Sequence, residues 1–356
     1  MPNHKMVRQQ KEPSQRKFCF IAHPVETWNW RFYTGGKINR QTIVKRPYPF
    51  LLPLDIAISL YFLISKRAFD KLDEFHFNGT LKGETYLIRN FAWHFMLHSQ
   101  RELIRRRLLE AVLFARERAN VIGLGALTKA EWLTKGGQWI VDELGGRLKV
   151  PIVHGDTLTA AAVVMQARQL MEQNCIDTPV FMTGATSKIG RAVALVLAAD
   201  GRDVIMMTES RQRFDAIMME AGVAGKHIRL SEDLNAGNDC KLWITGKAIP
   251  SGMKLLNEIP QGACVLNFSV PNPVSQKLFK NRPDITSIEG DLLAYDPAIT
   301  DLKMTMRLRP GLTYACHAGT MVHAYKGWQH HESGPVELSQ IPKVWSAAKE
   351  LGFYLP

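Results

Sequence analysis

The chemistry of this chain starts with the setting of one cysteine. From Thr313 the chain reads TYACHAGTMVHAYKGWQHH, most naturally a helix. At about 100° per residue, Tyr314, Ala318, Met321, Val322, Tyr325 and Trp328 share an apolar face, and Cys316, Thr320, His323 and Gly327 fall opposite. A cysteine kept for packing belongs with the first group, so Cys316 is expected to face a cleft, where small Gly319 and Thr320 would admit a ligand. Pro310-Gly311 would start this helix and place Cys316 in its first or second turn, where the dipole and free N–H groups favour a nucleophilic thiolate. His323, about two turns on, and the adjacent His317 are the imidazoles at hand for proton transfer. The bland alternative for each is a structural or merely exposed ring. Cys19 and Cys264 sit in apolar strands, Cys240 starts one and Cys175 lies in a polar loop, where packing suffices. The pairs His94/His98 and His330/His331 lack partners at ligand spacing, so no metal is expected.

A second signal lies upstream, where PVFMTGATSKIGRAVALVLAADG reads as an apolar strand, a glycine turn and a helix. That is the context of a dinucleotide fingerprint. The expected cofactor-binding residues are Thr183, Gly184, Ala185, Thr186, Ser187, Lys188, Ile189 and Gly190. Gly184 would make the tight turn, Gly190 the close helix–strand contact, and backbone N–H groups would meet a pyrophosphate. Lys188 and Arg191 would add positive charge near the phosphates, while Ser187 occupies the place of the middle glycine. The next strand, Asp203 to Thr208, ends at ESRQR, where the adenosine ribose is read. Glu209 there favours NADH, whereas Ser210, Arg211 and Arg213 favour the 2′-phosphate of NADPH, the expected cofactor. A nucleotide-free sheet of the same type is the alternative. Strands at Lys241–Thr245, Ala263–Phe268 and Ile285–Glu289 would complete the sheet; Thr157, Thr159, Asn267 and Ser269, after apparent strands, either line the site or cap loops.

These residues need a frame, and 356 residues with 46% hydrophobic and 22% charged composition are enough for two domains. The formal charge of +12 favours an acidic partner; no recognition motif accompanies it, so nucleic acid is not expected. Five cysteines without a CxxC pair suit a reducing cytoplasm. Periodicity gives an α/β fold, a Rossmann-like doubly wound parallel sheet with a smaller N-terminal α/β region. The expected division is a disordered basic lead-in over 1–17, an N-terminal acyl-binding region over 18–160, a Rossmann domain over 161–310 and C-terminal helices over 311–356. Phe75 to Ile88 reads as a hairpin turning at Asn78-Gly79, and Ser99 to Ala119 as a helix with a run of arginines, either a solvated face or a docking face. The stretch PFLLPLDIAISLYFLI from Pro49 to Ile64 is too short to span a bilayer. It is either a buried core helix, or a surface that dips into a bilayer or lines a pocket for a fatty chain.

The segments NGTLKGETYLIRNF, NVIGLGALTKAEW, HGDTLTAAAVV, TGATSKIGRAVA, SIEGDLLAYDPAITD and YACHAGTMVHAYKGW, in this order, resemble the cyanobacterial long-chain fatty acyl-carrier-protein reductases. The last third, through ACHAGTMVHAYKGWQHHESG and VWSAAKELGF, is more similar to the C-terminal domain of plant cuticular-wax proteins of the Eceriferum and Glossy type. The reductase resemblance implies that Cys316, matching the active-site cysteine of an ACF motif, takes an acyl group from a carrier thioester and that NADPH reduces it to a fatty aldehyde. Ser187 stands where that family has glycine, Glu209 where it tends to have arginine, and His317 and His323 match apolar residues. The expected partners are acyl carrier protein or coenzyme A thioesters, drawn to the basic surface, an aldehyde-consuming enzyme and, through the apolar stretch and its basic flanks, the periphery of a membrane. The rival functions are a short-chain-type dehydrogenase, for which a Tyr-x-x-x-Lys dyad is missing after Tyr295, Tyr314 and Tyr325, and a non-catalytic partner subunit or lipid-binding scaffold of a wax or hydrocarbon pathway.

Overall fold

In the computed structural model, which describes residues 15–24, 52–246, 252–269, 280–302 and 308–356, apolar runs become two largely parallel sheets. The first sheet contains β1 (Arg16–Ala22), β2 (Phe69–Phe77), β3 (Leu81–Ile88), β4 (Val121–Leu124) and β5 (Ile152–Val153), in the order β2-β3-β1-β4-β5. Only β2 runs antiparallel, because it is tied to β3 by a tight turn in which Asn78 and Gly79 have φ of 48° and 60°. Positive φ at both central residues is the hairpin turn that matches strand twist, as Asn-Gly predicts. Arg16 and Lys17, expected in the lead-in, open β1 instead; the rest of the lead-in and the Trp- and Asn-rich loop lie outside the described residues.

The second sheet has the order β8-β7-β6-β9-β10-β11, all parallel: β6 (Val180–Thr183), β7 (Val204–Met207), β8 (Ile228–Ser231), β9 (Leu242–Thr245), β10 (Cys264–Asn267) and β11 (Thr286–Glu289). That is the doubly wound Rossmann order, with the chain reversing direction between β6 and β9. All four residues of β6, β9 and β10 are buried, which is why they read as continuous apolar runs rather than alternations.

The helices that matter here are α1 (Leu52–Ile64), α2 (Ala92–Met96), α3 (Arg101–Ala115), α4 (Asp156–Gln173), α5 (Lys188–Ala199), α6 (Arg211–Ala221), α7 (Ala315–Lys326) and α8 (Ile341–Leu351). Alanine-rich α4 joins the sheets and is buried from Asp156 through Val164, with one apolar core running from Phe18 and Phe75 of the first sheet through α4 to Val180 and Val204 of the second. The C-terminal residues are not a separate region. β12 (Leu292–Ala294) and β13 (Leu312–Tyr314) form an antiparallel pair, and α7 returns to the first sheet, where Thr320 lies against Gly123 of β4. Among the arginines of α3, Arg107 is buried, donating to the carbonyls of Phe62, Ser65 and Arg89 and to Asn90 Oδ1. α1 is a helix but not a core helix, since one of its sides stays exposed. Among the described residues, no helix is long and apolar enough to cross a membrane.

Candidate active site

Cys316 is the second residue of α7. The turn at Pro310-Gly311 leads into β13 rather than into the helix, which starts at Ala315 after an extended Tyr314. Both of the opposed faces expected for this segment carry buried residues, because α7 is wedged between the first sheet and the loop before α4, while Cys316 itself keeps partial exposure. Thr320 and His323 are buried, and Gly319 serves the backbone of Gly155 rather than a ligand. Gly155 has φ of 69°, and a Cβ there would overlap the Cys316 carbonyl. Two glycines thus let a loop lie directly on the helix at the cysteine.

On one side Cys316 packs against Phe20, Ala22 and Leu87 from β1 and β3. On the other it meets charge. Lys129, just after β4, puts its Nζ 2.5 Å from Asp156 Oδ1 and 2.8 Å from the His154 carbonyl. Asp156 Oδ2 holds Lys188 Nζ at 2.8 Å. Burial pushes the Asp156 carboxyl up, but the two lysines outweigh it and hold the group far below the usual carboxylate range. Burial likewise lowers Lys129, and Asp156 more than restores it, so the ammonium stays charged. For Cys316 burial wins: the thiol is pushed up, Lys129 pulls it back, and Asp156 and Asp291 push with the burial. The expectation of a thiolate favoured by the helix dipole is corrected, since what favours the anion here is Lys129. Asp291, buried after β11, is raised to about 7 by burial and by Glu289, so this carboxyl is partly protonated at neutral pH.

Next to this group, His154 Nδ1 lies 2.9 Å from Glu332 Oε1 and 2.9 Å from the Asp156 backbone nitrogen. Burial raises Glu332, yet His154 and the Thr157 N–H hold it down to about 2.

Neither expected imidazole reaches the sulfur. His317, one residue on, is turned about 100° away into the rings of Phe18, Phe20 and Phe75, with Nδ1 3.2 Å from Thr313 Oγ1. Burial lowers it to about 3. His323 stands seven residues further along, about 10 Å up the helix axis, where its Nε2 donates to the His330 carbonyl at 3.0 Å; burial, against the pull of Glu332, lowers it to about 4. Both are neutral packing histidines.

The nucleotide turn has the expected form. Gly184 has φ of 64°, a Cβ on Gly190 would overlap the Gly184 carbonyl, and Ala185 is buried beneath that contact. Ser187 caps α5, its Oγ accepting the Gly190 N–H at 3.1 Å, a contact of about 1 kcal/mol. Ile189 packs on the core, and Thr186 Oγ1 lies 3.4 Å from Thr208 Oγ1, closing the turn against the end of β7. The buried Thr183 Oγ1 has no partner among the described residues. A glycine cradle, an orphaned hydroxyl and the first N–H groups of α5 at the sheet's reversal point fit a dinucleotide pyrophosphate. Two expected charges do not serve it: Lys188 is bound to Asp156, and Arg191 to Glu220 and, at 2.5 Å, to the Val336 carbonyl. Beyond β7, Ser210 precedes α6 with its N–H on Thr208 Oγ1, and Arg211 and Arg213 are exposed, Arg211 pairing with Asp215 at 2.9 Å. Thr159 Oγ1 bonds the Gly155 carbonyl, and Asn267 joins Thr245, Ser269 and Glu289 at the strand ends, so both cap local structure.

Motif and periodicity do not single out Lys129, Asp156, Asp291 or the His154–Glu332 pair. Their signal is a charged residue directly after an apolar strand, in LGALTK, VHGD and IEGD. Among the described residues, no group of three or more His, Cys, Asp or Glu is placed to hold a metal ion.

Residues 180–355 match the family described as CER1-like, C-terminal domain. The very-long-chain aldehyde decarbonylase GL1-1 of Oryza sativa subsp. japonica is 31% identical over 345 residues, covering 94% of this chain and 53% of that protein. GL1-2 of Oryza sativa subsp. indica is 32% identical over 273 residues, 76% of this chain and 41% of that protein. Protein CER1-like 2 of Arabidopsis thaliana is 25% identical over 328 residues, 89% and 48% respectively. The chain is homologous to these plant proteins and spans about half the length of the curated relatives it matches. Of solved structures, shikimate 5-dehydrogenase (AroE) of Thermus thermophilus, in complex with NADP(H) and shikimate, is similar over 95% of this chain and 100% of that chain, at 13% identity and a TM-score of 0.40.

Proposed function

We propose that this chain reduces a long-chain fatty acyl thioester, carried by acyl carrier protein or coenzyme A, to the fatty aldehyde, with Cys316 as acyl acceptor and NADPH as reductant. One juxtaposition carries the reading. Cys316 lies between the apolar wall of Phe20, Ala22 and Leu87 and the ammonium of Lys129, and the Asp156 that holds Lys129 also holds Lys188, the residue that opens α5 behind the nucleotide turn. The acyl-accepting and nucleotide-binding elements are thereby locked to each other through one carboxylate.

In this reading Lys129 favours the thiolate in a site whose burial opposes it, and the sulfur attacks the thioester carbonyl. The carbon–sulfur bond to the carrier breaks, and the carrier thiolate takes a proton, a role assigned in this reading to the protonated fraction of Asp291, which is raised to about 7. With two of its three N–H bonds on Asp156 and the His154 carbonyl, Lys129 has one left, which serves the sulfur and then the developing oxyanion. Bound NADPH, which Thr183 to Gly190 would hold and whose 2′-phosphate Ser210, Arg211 and Arg213 would read, would supply the hydride; the carbon–sulfur bond to Cys316 then breaks, freeing the aldehyde and returning the thiolate beside Lys129. The motifs that resemble cyanobacterial acyl reductases support the cysteine's role, and the plant relatives GL1-1 and GL1-2 are very-long-chain aldehyde decarbonylases by name; an aldehyde-consuming enzyme is the natural partner.

The test is intact-protein mass spectrometry after incubation with a long-chain acyl thioester, before and after adding NADPH. An acyl adduct on Cys316 that disappears as aldehyde forms supports the reading; no adduct with any donor refutes it. A second reading, a non-catalytic partner subunit or lipid-binding scaffold of a wax or hydrocarbon pathway, draws on the raised thiol. It gains if native protein binds acyl thioester and NADPH without turnover.

A further inference from the structure

Helix α1, LPLDIAISLYFLI, carries apolar residues on both of its sides. One side is seated: Phe62 is buried and stacked on Phe91 with centroids 5.0 Å apart, and buried Ser59 accepts a hydrogen bond from Trp93 Nε1 at 2.8 Å. The opposite side presents Ile56, Ala57, Leu60, Tyr61 and Ile64, a stripe at i, i+1, i+4, i+5 and i+8, with Ile64 81% exposed and the other three large residues near half. The adjoining α2 adds exposed Trp93 and Met96. Water-facing helix stripes are normally charged, and a contiguous apolar patch marks a contact surface.

The chemistry around the stripe selects what covers it. From Ile56 to Arg67 there is no acidic residue, and exposed Lys66 and Arg67 follow the last turn, Arg67 also pairing with Asp70 at 2.9 Å. The chain carries +12 overall, so a second copy would bring basic ends against basic ends. An anionic lipid surface satisfies the apolar stripe and the basic end together, and a helix of 13 residues is long enough to lie in a bilayer's interface but not to cross it. The mount is rigid, because the buried Arg107 guanidinium ties the carbonyls of Phe62 and Ser65 to α3.

We propose that this face docks on anionic membrane: α1 lies along the bilayer surface with Ile56, Leu60, Ile64 and Met96 among the acyl chains, Trp93 and Tyr61 at headgroup level, and Lys66 and Arg67 on lipid phosphates. α1 and α2 sit at the end of the first sheet where β1 and β3 finish and Cys316 packs, as the His23 contact to Phe95 and the Arg89 bond to Ser65 show.

Flotation of the full chain with phosphatidylcholine vesicles, with and without phosphatidylglycerol, tests this. Native protein is expected to float with the anionic vesicles, less so as salt is raised, and Leu60→Glu/Ile64→Glu is expected to lose binding by about tenfold or more with an unchanged circular dichroism spectrum. Lys66→Glu, which leaves the stripe intact, is expected to weaken only the anionic preference. The proposal is overturned if native protein stays with neither vesicle, if the double variant floats as well as native, or if ultracentrifugation shows a native dimer that the double variant abolishes. Acylation of Cys316 by a water-soluble short-chain thioester, which needs no membrane, separates this outcome from failure of the proposed reaction.

Discussion

Replacing Lys129 by methionine removes the positive charge that draws the Cys316 thiol toward its anion while keeping most of the side-chain volume. A unit charge at hydrogen-bonding distance in a medium of effective dielectric about 20 is worth about 4 kcal/mol. Asp156 pushes the thiol the other way in native protein and variant alike and drops out of the difference, while the partial exposure of Cys316 sets the pull of Lys129 between that figure and the ~1 kcal/mol of bulk water, at about 2 kcal/mol. At 1.36 kcal/mol per decade that is a fall of about thirtyfold in the thiolate available at neutral pH. The assay is alkylation by iodoacetamide, followed residue by residue by mass spectrometry across pH. Exposed Cys175 serves as internal reference, and Cys19 and Cys240, pushed up by burial to about 12 and about 11, stay silent. Lys129→Met should slow Cys316 about thirtyfold at pH 7 with Cys175 unchanged, and Lys129→Arg should recover part of the loss. Asp156 keeps Lys188 at 2.8 Å in the variant, so the fold should hold. An unaltered Cys316 rate in a folded Lys129→Met protein would refute the assignment of Lys129 as the group that activates the cysteine.

Three further outcomes follow from the same geometry. Gly155→Ala forces a left-handed residue and a Cβ into the Cys316 carbonyl, so thermal unfolding should show a loss of about 2 kcal/mol or more together with altered Cys316 alkylation. His23, His94, His317 and His323 are held by burial at about 4, 4, 3 and 4; the unfolded chain takes up these protons first, near pH 6.5. The stability they contribute is therefore complete above pH 6.5 and is lost as pH falls toward 4. Asp291, raised to about 7, works in the opposite direction over part of that range, yet four groups outweigh one. Urea titrations should show a clear loss between pH 7 and pH 5, before the ion-paired carboxylates Asp156 and Glu332 titrate, and an unchanged midpoint would contradict the burial of these rings. Finally, Arg211→Ala/Arg213→Ala should weaken NADPH binding about tenfold or more while leaving NADH within about twofold, measured by fluorescence titration.

What can be read from the letters is local. The strand, turn and helix from Val180 to Ala199 announce themselves because buried parallel strands are apolar throughout, a left-handed turn needs Gly184, and a helix seated on a strand needs Gly190. The hairpin at Asn78-Gly79 and the Rossmann strands are legible for similar reasons, each set by a few neighbouring residues. Cys316 stands out as a cysteine among small and polar residues, but an activation drawn from a dipole and two histidines on its own helix is too local. Its partners come from the ends of β4, β5 and β11, brought together by the stacking of α4 and α7 between two sheets. Whether Lys188 faces a phosphate or a carboxylate, and whether His317 faces a thiol or three phenyl rings, depends on what is packed opposite, which no helical period encodes. The elements, their order and the nucleotide turn are written in the chain itself, because backbone sterics and side-chain burial act over short spans. The charge balance at Cys316 and the exposed side of α1 arise only in the folded molecule, because burial and Coulomb interactions depend on neighbours that are distant in the chain.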